Sequence, residues 1–586
     1  MARQELVRGS AAGATSGVPD LWSVLGDADD NFVELYAQWE SFATDVSVAS
    51  AASVAAAASA AAGATSEANA ATSAAAIGTV VAGSAWVDVT KSPYSATGDG
   101  TTNDTTAIQN ALNALGLIGG GTLYFPPGTY KTSTTLQVPS NVWIKGAGWS
   151  TIIRTAGVTI TTRTIAGVAF SAAFACASAK NIHFSDLYID LRTNSTVCNG
   201  IQVNDHGCSG TVSDVLVERV KILGNDAHMY LVYGVKSDRM TTRDCYLEGA
   251  ASAPATQDVN CIEYTGGTLV SALNNDCRNG ATGVIFRSDL ASTSPVNNGF
   301  AIGNRVDSCV VGICTSPTTA GGMYDIAILG NTILNSQSSS ARAIKVELNA
   351  STTTRNLTIA GNTARETGRT LIDFAGASGA TATGIVCSDN ALYASSNCDS
   401  YASFTYAQNV KFVDNDMSGG GAYYGISLAS STDCEVDGNR VVGTRRTGVQ
   451  IENGCARISI RRNNLKDIAS SASTYPSLRV DTSTPSSDIW FDHNTLRQAT
   501  ANAGLVIDLT GCTSGGTAYD NLIPDARSTQ QLCDFHSTTK ARRQVGASPS
   551  GSSDYGERGD YFRDGSYDYY CSATNTWGRS AFSGGF

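Results

Sequence analysis

Ile326-Ala327-Ile328-Leu329-Gly330-Asn331-Thr332-Ile333 and Leu357-Thr358-Ile359-Ala360-Gly361-Asn362-Thr363-Ala364 follow one pattern: apolar-x-apolar-x-x-Asn-x-apolar. Earlier copies, Ile182-His183-Phe184-Ser185-Asp186-Leu187-Tyr188-Ile189 and Val215-Leu216-Val217-Glu218-Arg219-Val220-Lys221-Ile222, carry Leu187 and Val220 in the Asn slot, and a third carries Cys245. The Asn then recurs at 275, 304, 331, 362, 390, 415, 439, 463, 494 and 521, at spacings of 24 to 31 residues. A period of that length holding only short strands means stacked coils rather than separate domains. Each apolar-x-apolar triplet is a strand with alternate residues inward. The step before the Asn is a tight bend, and Asn suits it by tolerating left-handed backbone. Stacked Asn side chains can hydrogen-bond along the column.

A second strand follows in each coil, usually opened by Gly, as in Gly283-Val284-Ile285-Phe286 and Gly448-Val449-Gln450-Ile451. Its alternation places Ile201, Val203, Val284, Phe286, Ile344, Val346, Val449, Ile451, Leu478, Val480, Leu505 and Ile507 inside. The fold class is therefore all-β, a right-handed parallel β-helix of about 12–14 coils. One coil per strand spacing gives a rod of roughly 60 Å.

Composition agrees. The chain has 586 residues, 59 of them Gly, and only 15% are charged, which suits a turn-rich solenoid. A net charge of −12 argues against nucleic acid as a partner. It also weighs against a strongly anionic glycan unless a local basic patch compensates. No window is long and apolar enough to span a membrane, and Met1-Ala2-Arg3-Gln4-Glu5-Leu6 opens no apolar run, so no signal peptide is expected. The 15 cysteines lack C-x-x-C or zinc spacing, so buried reduced thiols are expected, with no metal and no cofactor.

The ends differ from the middle. Residues 1–46 hold one short amphipathic helix, with Phe32, Leu35, Tyr36, Trp39 and Phe42 at helical spacing, too small to fold alone. An Ala/Ser-rich stalk or linker occupies 47–85, with one charge, Glu67, in its Ala/Ser run at 47–77. Several chains bundled together would give such a stalk a seam. The β-helix is expected over 86–540, and 541–586, rich in aromatics and turn signals, reads as a small β module.

Thr97-Gly98-Asp99-Gly100-Thr101-Thr102-Asn103-Asp104-Thr105, an amphipathic helix at Ala107, Ile108, Ala111, Leu112 and Leu115, and Gly119-Gly120-Gly121-Thr122-Leu123-Tyr124-Phe125-Pro126-Pro127-Gly128-Thr129-Tyr130 precede the coils. This opening resembles that of the pectate-lyase-like superfamily, as found in phage tailspikes and tail fibres. The usual Asp-Asp pair reads Asn103-Asp104 here. The resemblance, over roughly 86–525, implies a polysaccharide-facing role without fixing the reaction. It further implies a homotrimer carried in a virion, made in the host cytoplasm and joined to tail, baseplate or portal-adaptor proteins through its N-terminus.

A β-helix lacks a natural pocket, so chemistry belongs on an outward strand face or between subunits. On the second strand one outward column is expected to read Gln202, Glu263, Ile285, Lys345, Asp373, Ser427, Gln450, Arg479 and Val506. The other reads Asn204, Thr265, Arg287, Glu347, Ala375, Ala429, Glu452, Asp481 and Asp508. Like charges stacked on neighbouring strands are destabilising, so Glu452, Asp481 and Asp508 in one column ask for a reason. Close carboxylates split their pKa values, the division of labour that glycoside hydrolysis requires. Glu347 with Asp373 is a second pair, on a diagonal of roughly 6–9 Å. Arg479, Gln450 and Lys345 are the expected substrate-binding neighbours; Tyr401 and Tyr423 are expected to point outward, either as ordinary surface tyrosines or as rings that stack on sugars.

The leading functional expectation is an endoglycosidase acting on a bacterial surface polysaccharide. A polysaccharide lyase using a base such as Lys345, and a non-catalytic receptor-binding fibre, are the alternatives.

Overall fold

The computed structural model describes residues 85–522 except 156–161, 195–196, 225–229, 251–258, 289–293, 319–320, 335–339, 351, 366–367, 395–397, 471–474, 499–505, 515–516 and 520, together with strands between 533 and 581. The expected anchor at 1–46 and nearly all of the stalk at 47–85 lie outside the described residues.

The described chain winds into a right-handed parallel solenoid of about 13 turns, as the repeat predicts. Each turn has three strands, one more than the sequence reading contained. The first strand, for example Met323–Leu329, pairs in parallel with Thr353–Ala360 of the next coil. The Asn follows, and then a three-residue strand such as Thr332–Leu334 joins a 15-stranded sheet of its own. The Gly-opened strand, such as Arg342–Leu348, closes the coil. The short strand sends one residue inward per coil, for instance Ile222, Val306, Ile333, Leu392 and Leu465, all fully buried or nearly so. That single apolar residue after the Asn is too brief for strand periodicity to register.

Eleven of the twelve expected inward residues, from Ile201 to Ile507, are inward, each no more than 1% exposed. Leu505 lies outside the described residues.

The Asn column forms a continuous ladder. From Asn275 to Asn521, Nδ2 of each Asn donates to Oδ1 of the next at 2.8–3.0 Å. The same Oδ1 accepts the preceding Asn's backbone N–H, and Nδ2 also donates to a strand carbonyl, as from Asn362 to Ile328. The left-handed backbone, however, is not at the Asn. It falls one residue earlier, at Asn274, Gly303, Gly330, Gly361, Asp389, Asp414, Gly438, Arg462 and His493. At Gly438 a Cβ would lie 2.2 Å from Asp414 Oδ1, so a side chain there collides with its column neighbour. The Asn is present for its amide, not for its φ angle. Asn362→Ala would strand the amide and N–H of Asn331 and the carbonyl of Ile328, so stability should fall by ~3 kcal/mol, read as a lowered denaturation midpoint.

The helix Thr105–Leu117 buries Ile108, Ala111, Leu112 and Leu115 against the first coil. Gln109 clamps it there by exchanging two hydrogen bonds with the Gln137 backbone, at 3.1 and 2.9 Å. Asp104 accepts from the N–H groups of Thr97 and Gly98, tying the opening loop to the helix start. At the other end Asp560–Arg563, Tyr567–Ala573 and Thr576–Ala581 form an antiparallel meander. The thirteen cysteines from Cys176 to Cys512 are buried thiols.

Candidate functional site

The second-strand sheet carries the expected first column in order, with three coils added. Gln202, Tyr233, Glu263, Ile285, Cys314, Lys345, Asp373, Ser403, Ser427, Gln450 and Arg479 stand in register. Beside it, Glu347, Ala375, Thr405, Ala429 and Glu452 form the second column.

The last coil departs from expectation by two residues. Arg479 pairs with Asp508, not Asp481 with Asp508. Ile507 and Leu509 are the inward pair there, and Val506 is buried rather than outward. Asp508 therefore stands in the Gln450–Arg479 column. It accepts from Thr510 N and Oγ1 and lies 3.8 Å from Arg479. The three-carboxylate stack reduces to a pair.

That pair, Glu452 and Asp481, sits at the end of the strand pairing between Val449–Glu452 and Leu478–Val480, where Asp481 N donates to Ile451 O at 2.8 Å. Burial and the neighbouring Asp481 charge raise the Glu452 pKa. The Ser483 backbone N–H, at 2.8 Å, and the Arg479 guanidinium, at 3.1 Å, lower that of Asp481. The two groups are pushed apart from opposite sides. Gln450, 2% exposed, stands one residue away with Oε1 lacking any hydrogen-bond partner. A buried acceptor without a donor costs free energy until one arrives.

The second carboxylate pair is occupied by cations. Lys345 Nζ donates to Glu347, which also accepts from Ser316 Oγ at 2.5 Å. Asp373 is ion-paired to Arg342. Lys345 is therefore engaged by a carboxylate.

Around Asp373 the sheet carries a cleft of ≈ 600 Å³. Arg342, Arg369, Asp399, Tyr423, Tyr424 and Arg446 are among its lining residues, with Ser400, Ser403, Thr405 and Ser427 also lining it. Tyr423 faces this space as expected. Tyr401 does not: it is fully buried, with its hydroxyl on the Val442 carbonyl at 3.4 Å. Its hydroxyl also accepts from Gly420 N at 3.1 Å, so the inward phenol is hydrogen-bonded.

A third grouping escaped the sequence reading. In the earlier coils His206 Nε2 lies 2.8 Å from Tyr233 Oη, and the Tyr233 ring stacks on Tyr230 at 4.0 Å. Glu263, fully buried, accepts from Asn260 Nδ2 at 2.6 Å and Thr265 Oγ1 at 2.9 Å, with Arg287 at 3.4 Å. Burial and the Glu263 charge push the Tyr233 hydroxyl well above its ordinary range, so it keeps its proton. Tyr233 lies in the 14-residue strand Tyr230–Arg243, which runs without a break through two faces. The missing loop punctuation hid that coil. The Asp205-His206 step at the end of the preceding strand was the available signal. Among the described residues no cluster of His, Cys, Asp and Glu is arranged to hold a metal ion, and no helix is long and apolar enough to cross a membrane.

Two stretches of this chain match known families. Residues 86–168 match rhamnogalacturonase A/epimerase, pectate lyase-like, and residues 312–496 match the right-handed β-helix region. Both the opening segment and the coils are thus similar to pectate-lyase-like right-handed β-helix proteins. The mannuronan C5-epimerase AlgE3 of Azotobacter vinelandii is 35% identical over 147 residues, covering 23% of this chain and 8% of that protein. Alginate lyase 7 of the same organism is 47% identical over 62 residues, 9% of this chain and 7% of that one. The chain thus matches only a small part of these relatives' length. Among solved structures, the Streptococcus pneumoniae surface adhesin PfbA has a TM-score of 0.44 at 15% identity, covering 66% of this chain and 98% of its own.

Proposed function

We propose that this chain is a polysaccharide depolymerase of the glycoside hydrolase type, with Glu452 as general acid and Asp481 as its ionised partner. The observation that carries the proposal is the opposed environment of the two groups, one raised by burial and like charge, the other lowered by an N–H and an arginine. Titratable pairs pushed apart in this way divide acid and base roles. Neighbouring strands stand about 4.8 Å apart, closer to the roughly 5–5.5 Å carboxyl spacing of retaining enzymes than to the inverting range. Glu452 would protonate the glycosidic oxygen while Asp481 attacks the anomeric carbon. Water activated by Glu452 would then release the sugar. Gln450 Oε1 would accept from a sugar hydroxyl, and Arg479 would keep Asp481 ionised. The names of the epimerase and lyase relatives support a polysaccharide as the substrate.

The reading extends to a tailspike: a homotrimer in a virion, bound through residues 1–46 to tail, baseplate or portal-adaptor proteins and facing a bacterial surface glycan. The resemblance of the opening segment and the Ala/Ser-rich run support it. Parallel rods close most simply by cyclic symmetry. Sedimentation of the full chain at micromolar concentration is expected to give a trimer; a clean monomer would remove this part.

The lyase alternative gains from the Tyr233–His206 pair, whose protonated phenol could serve as the acid, and its base, Lys345, would have to leave Glu347 first. Incubation of the full chain with capsules, exopolysaccharides and O-antigens, followed by mass analysis, decides among the readings. Hydrolysis adds one water per cut. Elimination instead leaves an unsaturated end with new ultraviolet absorbance. Binding without fragments leaves the receptor-binding fibre.

A further inference from the structure

We infer that the cleft around Asp373 is built to hold a sugar bearing a single negative charge, a carboxylate gripped by Arg446. The inference rests on the glycan reading above but not on its reaction. Three arginines and two aspartates line the cleft, Arg342, Arg369, Arg446, Asp373 and Asp399, so it is positive by one charge within a chain of net charge −12. Here is a local basic patch of the kind an acidic glycan requires.

The three arginines are not equivalent. Arg342 is spent on Asp373. Arg369 meets Asp399 at 3.3 Å, but their side chains are 47% and 63% exposed, and such a pair is exchangeable at little cost. Arg446 has no carboxylate partner among the described residues. Its guanidinium instead lies 4.9 Å from the Tyr423 ring, 5.3 Å from Tyr475 and 6.0 Å from Tyr424. Among the described residues its guanidinium makes one hydrogen bond, from Nη1 to Tyr424 Oη at 3.3 Å.

Tyrosine faces around a guanidinium fix its plane without consuming its edge. Arginine has five N–H donors in a rigid fork that fits a carboxylate bidentately. Holding that fork in position and leaving most of it unused, inside the cleft, is the arrangement a ligand carboxylate completes. The hydroxyls of Ser400, Ser403 and Ser427 are placed to meet the sugar's own hydroxyls. A net charge of one fits a monoanionic group better than a phosphate monoester. A uronic acid or a pyruvyl ketal supplies such a carboxylate, and a sulfate ester is the competing monoanion.

The test is affinity electrophoresis of the full chain through gels containing alginate, pectate, their carboxyl-reduced forms, dextran or dextran sulfate. Because the chain is itself acidic, unspecific attraction to polyanions is opposed. Retardation is expected in at least one uronate gel and should vanish in its carboxyl-reduced form. Arg446→Gln should weaken that retardation at least tenfold, and Arg446→Lys should fail to restore it, since an ammonium lacks the fork. Arg369→Gln, on the exposed rim, serves as a second variant, expected to weaken retardation severalfold; thermal midpoints confirm folding of all three.

Retardation by dextran or by a reduced polymer to the same degree overturns the inference. So does no retardation in either uronate gel, or folded Arg446→Gln retaining full affinity. Equal retardation by dextran sulfate, lost in Arg446→Gln, overturns the carboxylate in favour of sulfate. Failure of the hydrolase reading looks different: uronate is bound through Arg446 and never cut.

Discussion

Replacing Glu452 or Asp481 by its amide is expected to cut fragment release by ~100-fold or more while the rod stays assembled and still binds glycan. Loss of positioned general acid–base help has that size. Both side chains are outward, so Glu452→Gln and Asp481→Asn keep volume and hydrogen bonding while removing only the ionisable group. The pH profile carries the same information. Glu452 acts protonated and its pKa is raised, so activity falls as pH climbs through that raised value. Asp481 acts ionised and its pKa is lowered, so activity falls as pH drops through that lowered value. The result is a bell, and Asp481→Asn should remove its acid limb from whatever activity remains. Asp508→Asn should do less, because Asp508 faces Arg479 from the neighbouring column rather than stacking on Asp481. Glu347→Gln changes a group already tied to Lys345 and outside the cleft lining, and it is the control, whereas Asp373→Asn frees Arg342 inside the cleft. Full activity in amide variants at all five positions would remove this face as the catalytic site and turn attention to the Tyr233–His206 grouping.

What the sequence made legible follows from which interactions repeat. The core was readable because every coil sends apolar residues to the same slots, and a period-two strand shows its inward set directly. The Asn column was readable for the same reason, although its cause was misassigned. Asn was credited with left-handed backbone, which belongs to the residue before it, a slot filled variously by Gly, Asn, Asp, Arg and His. A slot of mixed identity leaves no column to see. The site was harder, since outward residues are chosen singly. Glu452 and Asp481 were legible because register alone places them side by side. Asp508 was misplaced because residues 505–509 read Leu-Val-Ile-Asp-Leu, in which either Leu505 with Ile507 or Ile507 with Leu509 can be the inward pair. A one-coil choice of register then moves a carboxylate to another column. The arginine cleft could not be read at all. Arg446 and Tyr423 lie on adjacent coils and their contact depends on side-chain direction, which no spacing rule contains.

Ile451→Asp, or Val480→Asp, is expected to abolish assembly of the rod, the largest effect of any single change considered. Both residues are fully buried and paired to one another in neighbouring strands, with Leu428 one coil earlier in the same inward column. Among the described residues no Lys or Arg is buried in the core beside this column, so a carboxylate there would be stripped of water without a partner, at a cost of several kcal/mol. The lost apolar burial adds a further ~2 kcal/mol. In Ile451→Asp a coil could relieve that cost only by turning the strand over, and in a parallel sheet of period two this would expose Val449 along with the new carboxylate. In a solenoid the damage spreads, because each coil is stabilised mainly through its neighbours, so one failed coil separates the stacks on either side. The contrasting change is Ser427→Asp, next to Leu428 on the same strand and outward; it should cost under about 1 kcal/mol, the usual scale for a surface substitution. Thermal midpoints and soluble yield of the three variants measure the difference. Ile451→Asp or Val480→Asp chains that assemble with an unchanged midpoint would mean that the inward register is wrong, and with it the outward placement of Glu452 and Asp481 on which the proposed chemistry depends.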